Sequence, residues 1–294
     1  MSAPPEPPLK KVTPRNLGVA LALVVIVQAV ALSLTYLNKP VYQAIGTVAG
    51  PIPSSSGGTT AAGSAGNALI LVVFVFVVTL GLVWLVRKKL FRSFKTLIFA
   101  SISFSSFILT WVTVDGIFSK YPWYNTFPYV LQVELAIAFI PVIVMGYMIF
   151  VKNNEVLSTL VMSAIGAEVA SFFASTLYLP TALLLACGFA IYDIYAVFRG
   201  PLKTLVTSLP SGSLAGMAVK AGEFTVGLGD IVFYSMLPSI ALFYLHPVNA
   251  IATLVAVDAG VVVTLFLLSK KRLLPGLPIP MLLGLLVLTA SFLA

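Results

Sequence analysis

The sequence predicts an all-α polytopic membrane protein with nine transmembrane helices, and three observations carry that reading. Hydrophobic residues make up 60% of the 294 positions and charged residues only 9%, with a mean hydropathy of +1.07. Soluble domains carry about a quarter charged residues. Apolar runs of about 20 residues, the length that spans a hydrocarbon core, recur along the whole chain. Basic residues collect beside alternate runs, as they do on the cytoplasmic side of membrane proteins. A helical bundle buried in lipid forms one unit, so residues 17–294 read as a single membrane domain behind a polar, Pro-rich, disordered cytoplasmic tail, 1–16.

The first span, Leu17 to Leu37, follows Lys10, Lys11 and Arg15 as a signal peptide would, but it is too long for a signal h-region and predicts a retained helix. The loop after it, 38–67, is rich in Gly, Ser, Thr and Ala and reads as an outer linker with a short re-entrant or interfacial stretch. Ala68 to Val86 ends at Arg87, Lys88 and Lys89, and Thr96 to Val114 starts after Arg92 and Lys95. Tyr129 to Val151 ends at Lys152, Leu157 to Leu177 returns outward, and Thr181 to Phe198 ends at Arg199. A second loop, 203–222, contains Lys203, Pro210, Gly212, Gly216 and Lys220 and reads as flexible and cytoplasmic. Thr225 to Leu245, Val248 to Leu268 and Leu273 to Ala294 complete the set, with Lys270, Lys271 and Arg272 before the last.

With the N-terminus in the cytoplasm, all of the 17 basic residues except Lys39 and Lys120 fall inside, and an odd span count leaves the C-terminus outside. The net charge of +8 therefore orients spans; these residues flank apolar runs and do not form a nucleic-acid surface. Cys187 is the one cysteine, so neither a disulfide framework nor a thiolate metal cluster can form within the chain. His246, beside Pro247 at the outer end of the seventh span, is the one histidine, which excludes a His-Glu-x-x-His zinc helix. A Gly-x-Ser-x-Gly elbow is absent. The sequence calls for no cofactor and no metal.

Five acids, Glu134, Glu168, Asp193, Asp230 and Asp258, fall within predicted spans, where a charge is costly unless paired, protonated or wetted. Asp193 lies five residues before Phe198, and Asp230 five after Thr225, so both stand about 8 Å inside the cytoplasmic ends of consecutive antiparallel spans. Two facing carboxyl groups at low dielectric share a proton, which supplies an acid and a base in one pair. One can deprotonate water while the other protonates the carbonyl under attack, and either can be the base. Glu134, Glu168 and Asp258 receive no role from this argument.

Around Asp230 the chain reads Gly227-Leu228-Gly229-Asp230, and two glycines predict close approach of another backbone. Tyr192 precedes Asp193 and can donate a hydrogen bond. Pro275-Gly276-Leu277-Pro278-Ile279-Pro280 predicts non-helical backbone at the cytoplasmic end of the ninth span, leaving helix only from Met281. Irregular backbone at membrane depth is tolerated where protein or a water-filled cavity satisfies it, so this segment is expected to face the aspartates. Its free amides can hold a substrate by strand addition.

Taken in order, Tyr192-Asp193, Gly227-Leu228-Gly229-Asp230 and Pro275-Gly276-Leu277 resemble the Tyr-Asp, Gly-x-Gly-Asp and Pro-Ala-Leu landmarks of the presenilin family of intramembrane aspartyl proteases, related to signal peptide peptidases. The resemblance covers nearly the whole chain and departs at Gly276, where the family has Ala. It implies a presenilin-like fold, catalysis by Asp193 and Asp230, and a substrate site shaped by Pro275, Gly276, Leu277 and Pro278. It also implies transmembrane-helix substrates in a lipid bilayer. The compact chain resembles microbial, archaeal homologues of the prokaryotic cell membrane; nothing in it requires accessory subunits, and self-association is compatible with it. The rival reading is a proton- or cation-coupled transporter or channel, in which Glu168 and Asp258 would join the aspartates in one pathway.

Overall fold

The computed structural model describes residues 14–46, 48, 50–151, 154–198, 218–221, 224–268 and 274–293. Nine α-helices occur among them: α1 (Pro14–Ile45), α2 (Ala61–Arg87), α3 (Phe91–Phe118), α4 (Val130–Phe150), α5 (Glu155–Thr176), α6 (Leu179–Phe198), α7 (Leu228–Tyr244), α8 (Pro247–Leu268) and α9 (Pro278–Leu293). Seven are long and apolar enough to cross a membrane, whereas α7 and α9 are shorter apolar helices. Most of the tail and, apart from 218–221, the 203–222 loop expected to be cytoplasmic lie outside the described residues, as do Glu223, Lys152, Arg199 and the basic run Lys270 to Arg272.

Helix boundaries move from the expected ones where local or tertiary contacts intervene. The first helix takes in residues 14–16 of the expected tail and continues through Pro40 to Ile45. Its added turns are held because Tyr42, 2% exposed, packs edge-on against Phe172 of α5. The segment expected as an outer loop is accordingly shorter than 38–67, and it is held by bridges to its neighbours. Val48 donates its N–H to the Thr176 carbonyl at 2.6 Å and accepts from the Tyr178 N–H at 2.9 Å. Asn67 of α2 pairs with both the N–H and the carbonyl of Ile52, at 2.5 and 3.0 Å. Thr60 caps α2 by accepting from the Gly63 N–H, and Asn154 caps α5 by accepting from Val156 and Leu157.

Packing places α7 at the centre of the bundle. Every residue from Ile231 to Ala241 is buried, and α5, α1 and α8 surround it. Outward faces are apolar instead: Phe74, Phe104, Ile143, Leu160 and Val255 are each at least 60% exposed, as lipid contact requires. Between helices the contacts rest on small residues, which let backbones approach. At Gly260 of α8 a β-carbon would stand 2.4 Å from the Cα of Pro280, so this glycine fixes the docking of α9.

Among the described residues, two of the expected spans are not uninterrupted helices. Ala218–Ala221 and Phe224–Gly227 form an antiparallel hairpin, β1 and β2, that runs directly into α7. The seventh span therefore begins as strand, and α7, with 17 residues, is about 26 Å long. Likewise α9 has 16 residues, and non-helical 274–277 precedes it. Pro278 and Pro280 belong to its first turn and are not extended, because the missing proline N–H groups would have no intrahelical partner there.

Candidate active site

Three chain segments meet at the cytoplasmic ends predicted for α6, α7 and α9. Asp193 is on the last two turns of α6, and its Oδ2 accepts a hydrogen bond from the Leu277 backbone N–H at 3.0 Å. Asp230 occupies the third position of α7, nearer the helix start than a helix from Thr225 would put it, because β2 supplies the preceding residues. Gly227 is the N-cap of α7, and its backbone bonds to the Asp230 carboxyl, the reach-back half of a capping box. That contact folds the carboxyl over the helix start and toward the ninth segment.

Gly276 completes the meeting point. A β-carbon built on it would lie 2.7 Å from Oδ2 and 3.3 Å from Oδ1 of Asp230. Its carbonyl accepts from the hydroxyl of buried Tyr234, one turn along α7 from Asp230, at 2.8 Å. Asp193 and Asp230 thus contact adjacent residues, Leu277 and Gly276, of one non-helical stretch. Both aspartates are partly buried. Leu277, 5% exposed, anchors the stretch in the core, and its carbonyl accepts from the Met281 N–H as α9 begins.

The remaining expected site residues make the following contacts. At Gly229 a β-carbon would meet nothing within 4 Å, and at Gly227 it would meet the Asp230 carboxyl itself at 3.2 Å. Among the described residues, Gly229 therefore leaves room beside the carboxyl, Gly227 leaves room for the carboxyl itself, and neither seats a neighbouring helix. Leu228 packs at the edge of the core, against Gly166 of α5. Tyr192 turns from the aspartates toward α2, where its hydroxyl donates to Thr79 at 3.1 Å and its ring meets Phe76 edge-on. Pro275 precedes the contact dipeptide and Pro278 opens α9.

Tyr234 was not legible as a site residue, since a tyrosine in an apolar run carries no signal until its partner is known. The other membrane acids stand apart from the pair. Thr110 of α3 bonds to Glu168 at 3.1 Å, Trp111 donates to Glu134 at 3.2 Å, and Asp258 hydrogen-bonds with Gln28 of α1. Among the described residues no group of three or more His, Cys, Asp or Glu side chains is arranged to hold a metal ion.

The chain as a whole has known relatives. The family model for Presenilin matches residues 10–212 and 216–293. Presenilin-B of Dictyostelium discoideum is 37% identical over 107 residues, which cover 33% of this chain and 22% of that protein; the match therefore spans under a quarter of the relative's length. A presenilin family intramembrane aspartate protease crystallised in space group C222 superimposes with a TM-score of 0.65 at 20% identity, covering 95% of this chain and 99% of that one. Its form in space group P2 gives 0.62 at 22% identity, over 95% and 98%. At these identities the structures establish a shared fold.

Proposed function

The chain belongs to the presenilin family, and from that premise we propose that it is an intramembrane aspartyl endopeptidase in which Asp193 and Asp230 activate water. The single observation that carries the assignment is the convergence of both carboxyl groups on the Gly276-Leu277 backbone. Catalytic acids and bases must lie within reach of one reacting group, and two side chains touching adjacent residues of one non-helical stretch are brought near a common point.

In the proposed reaction one carboxylate takes a proton from water as the water oxygen bonds to the scissile carbonyl carbon. The other carboxyl group donates its proton to the carbonyl oxygen. Collapse of the tetrahedral intermediate breaks the C–N bond, the departing nitrogen takes a proton from the first carboxyl group, and the diol proton returns to the second. Either aspartate can fill either role. Space beside Gly229 provides the approach for a substrate backbone. A helical peptide carbonyl is occupied by its own hydrogen bond, so the substrate must unwind here; β2, which runs directly into the helix that carries Asp230, offers it backbone partners.

The substrates are transmembrane segments of other proteins, and the enzyme is a multi-pass protein of a prokaryotic cell membrane. Residues 17–294 act as its one membrane domain, with the N-terminus inside and the C-terminus outside. A coupled transporter would need Glu168 and Asp258 in one path with the aspartates; instead they bond to Thr110 and Gln28 on other helices.

The test is cleavage of a membrane-spanning substrate by purified wild type, Asp193→Asn and Asp230→Asn. Each variant is expected to lose at least about 10³-fold in rate while keeping the wild-type melting transition. Cleavage at the wild-type rate by either folded variant overturns the assignment.

A further inference from the structure

Away from the aspartates, Gln28 of α1 is fully buried and its Nε2 donates to the backbone carbonyl of Tyr234 at 3.2 Å. That carbonyl is free because its helical partner would be the N–H of residue 238, and position 238 is proline. Gln28 thus supplies from another helix the hydrogen bond that Pro238 removes. The same amide group hydrogen-bonds with the Asp258 carboxyl of α8. Among the described residues, two buried atoms of this cluster have no hydrogen-bond partner: Gln28 Oε1 and Asp258 Oδ1.

Those two orphans are both acceptors when Asp258 is ionised, and one proton satisfies both. A neutral carboxylic acid has one O–H donor and a remaining acceptor, which matches a primary amide reciprocally. The amide then gives one N–H to Asp258 and the other to Tyr234, and its oxygen accepts from the acid. Every polar atom of the pair is used, as a low-dielectric interior demands.

We propose that Asp258 and Gln28 form a neutral acid–amide pair that positions the active site through Tyr234. The pair fixes the second N–H of Gln28 on the carbonyl opened by Pro238. Tyr234 in turn holds the Gly276 carbonyl with its hydroxyl, beside the Asp230 carboxyl. Neither Gln28 nor Asp258 touches the reacting groups; both are positioning residues, and that role rests on the protease assignment above.

Asn at position 258 mimics the neutral acid, offering one N–H to Gln28 and accepting another, whereas Leu cannot. Asp258→Asn is therefore expected to melt as wild type does and to cleave within about twofold of it, while Asp258→Leu and Gln28→Leu lose about tenfold in kcat with KM unchanged. Pro238→Ala restores the missing helical N–H, so Gln28→Leu in that background is expected to regain most of its kcat and melting temperature. Wild type minus Asp258→Asn infrared spectra are expected to show the carbonyl stretch of a protonated acid. Absence of that band, equal damage from Asn and Leu at 258, or a Gln28→Leu defect unchanged by Pro238→Ala overturns the proposal. If wild type itself cleaves nothing, the protease assignment fails, while the infrared band and the melting cycle still decide the pair.

Discussion

The carboxyl group of Asp230 lies directly against the α-carbon of Gly276, with Oδ2 2.7 Å from where a β-carbon would stand. The glycine that departs from the family's Ala is thus the residue on which Asp230 rests. The atom that a methyl group would strike is the end of a rotatable side chain, not backbone. Gly276→Ala is expected to keep its fold, shift melting by about 1 kcal/mol or less and still cleave, with the Asp230 carboxyl turned off Gly276. Gly276→Val adds bulk that rotation does not clear, and cleavage is expected to fall about 100-fold or more. Melting curves and initial rates of the two variants check both outcomes.

Leu277 presents its amide to Asp193, and a hydrogen bond to a charged group contributes about 1.5–3 kcal/mol. Leu277→Pro deletes that donor and is expected to lower kcat by roughly 10- to 100-fold. Leu277→Met keeps both the N–H and the volume, so its kcat should remain within severalfold of wild type. Comparable losses in the two would show that side-chain packing, and not the amide, matters at this position.

The docking of α9 is tested at Gly260. A methyl group there meets Pro280 backbone at 2.4 and 2.7 Å, and backbone cannot rotate away. Gly260→Ala is expected to destabilise the protein by about 1–3 kcal/mol and to reduce cleavage, since α9 carries the Gly276-Leu277 stretch. An unchanged melting temperature would refute the close contact.

On the opposite side of the bundle, in the turn between α3 and α4, the Tyr124 hydroxyl donates to Asp115 Oδ1 at 2.5 Å. The hydrogen bond to that carboxylate, with some burial, pushes the phenol from its ordinary 10.0 up to about 12. A folded-state value above the unfolded one means that the contact contributes fully below pH 10.0 and is lost as pH rises through about 12. The stability difference between wild type and Tyr124→Phe should therefore be constant below pH 10.0 and shrink toward zero near pH 12. Thermal melts of both proteins across that range provide the measurement; a difference that grows with pH would reverse the sign.

Much of this architecture was legible because hydropathy is local. Each of the nine apolar runs contains one helix core, since a segment of such composition has no soluble alternative. Ends were less legible: α1 runs on past Pro40 because Tyr42 finds a pocket beside Phe172, and no residue near Tyr42 in sequence announces it. The prolines of the ninth span marked a break, but a first helical turn tolerates proline, so Pro278 to Pro280 joined the helix.

By itself the sequence determined that this chain spans a membrane many times and that it resembles the presenilins, and it singled out Asp193 and Asp230 near the ends of consecutive apolar runs. Scarcity of charge did this, because in an apolar chain each buried acid is conspicuous. Only the tertiary structure decided what surrounds them. It set Asp230 in the first turn of α7 behind a strand, gave Gly276 to its carboxyl, turned Tyr192 toward Thr79, and joined Gln28 to Tyr234. The Asp193 to Leu277 contact joins positions 84 apart, and the Gln28 to Tyr234 contact joins positions 206 apart. Hydrogen bonds of that kind depend on which backbone groups a proline or a helix end leaves unpaired, and on which distant side chain packing brings to them, so no local pattern can specify them.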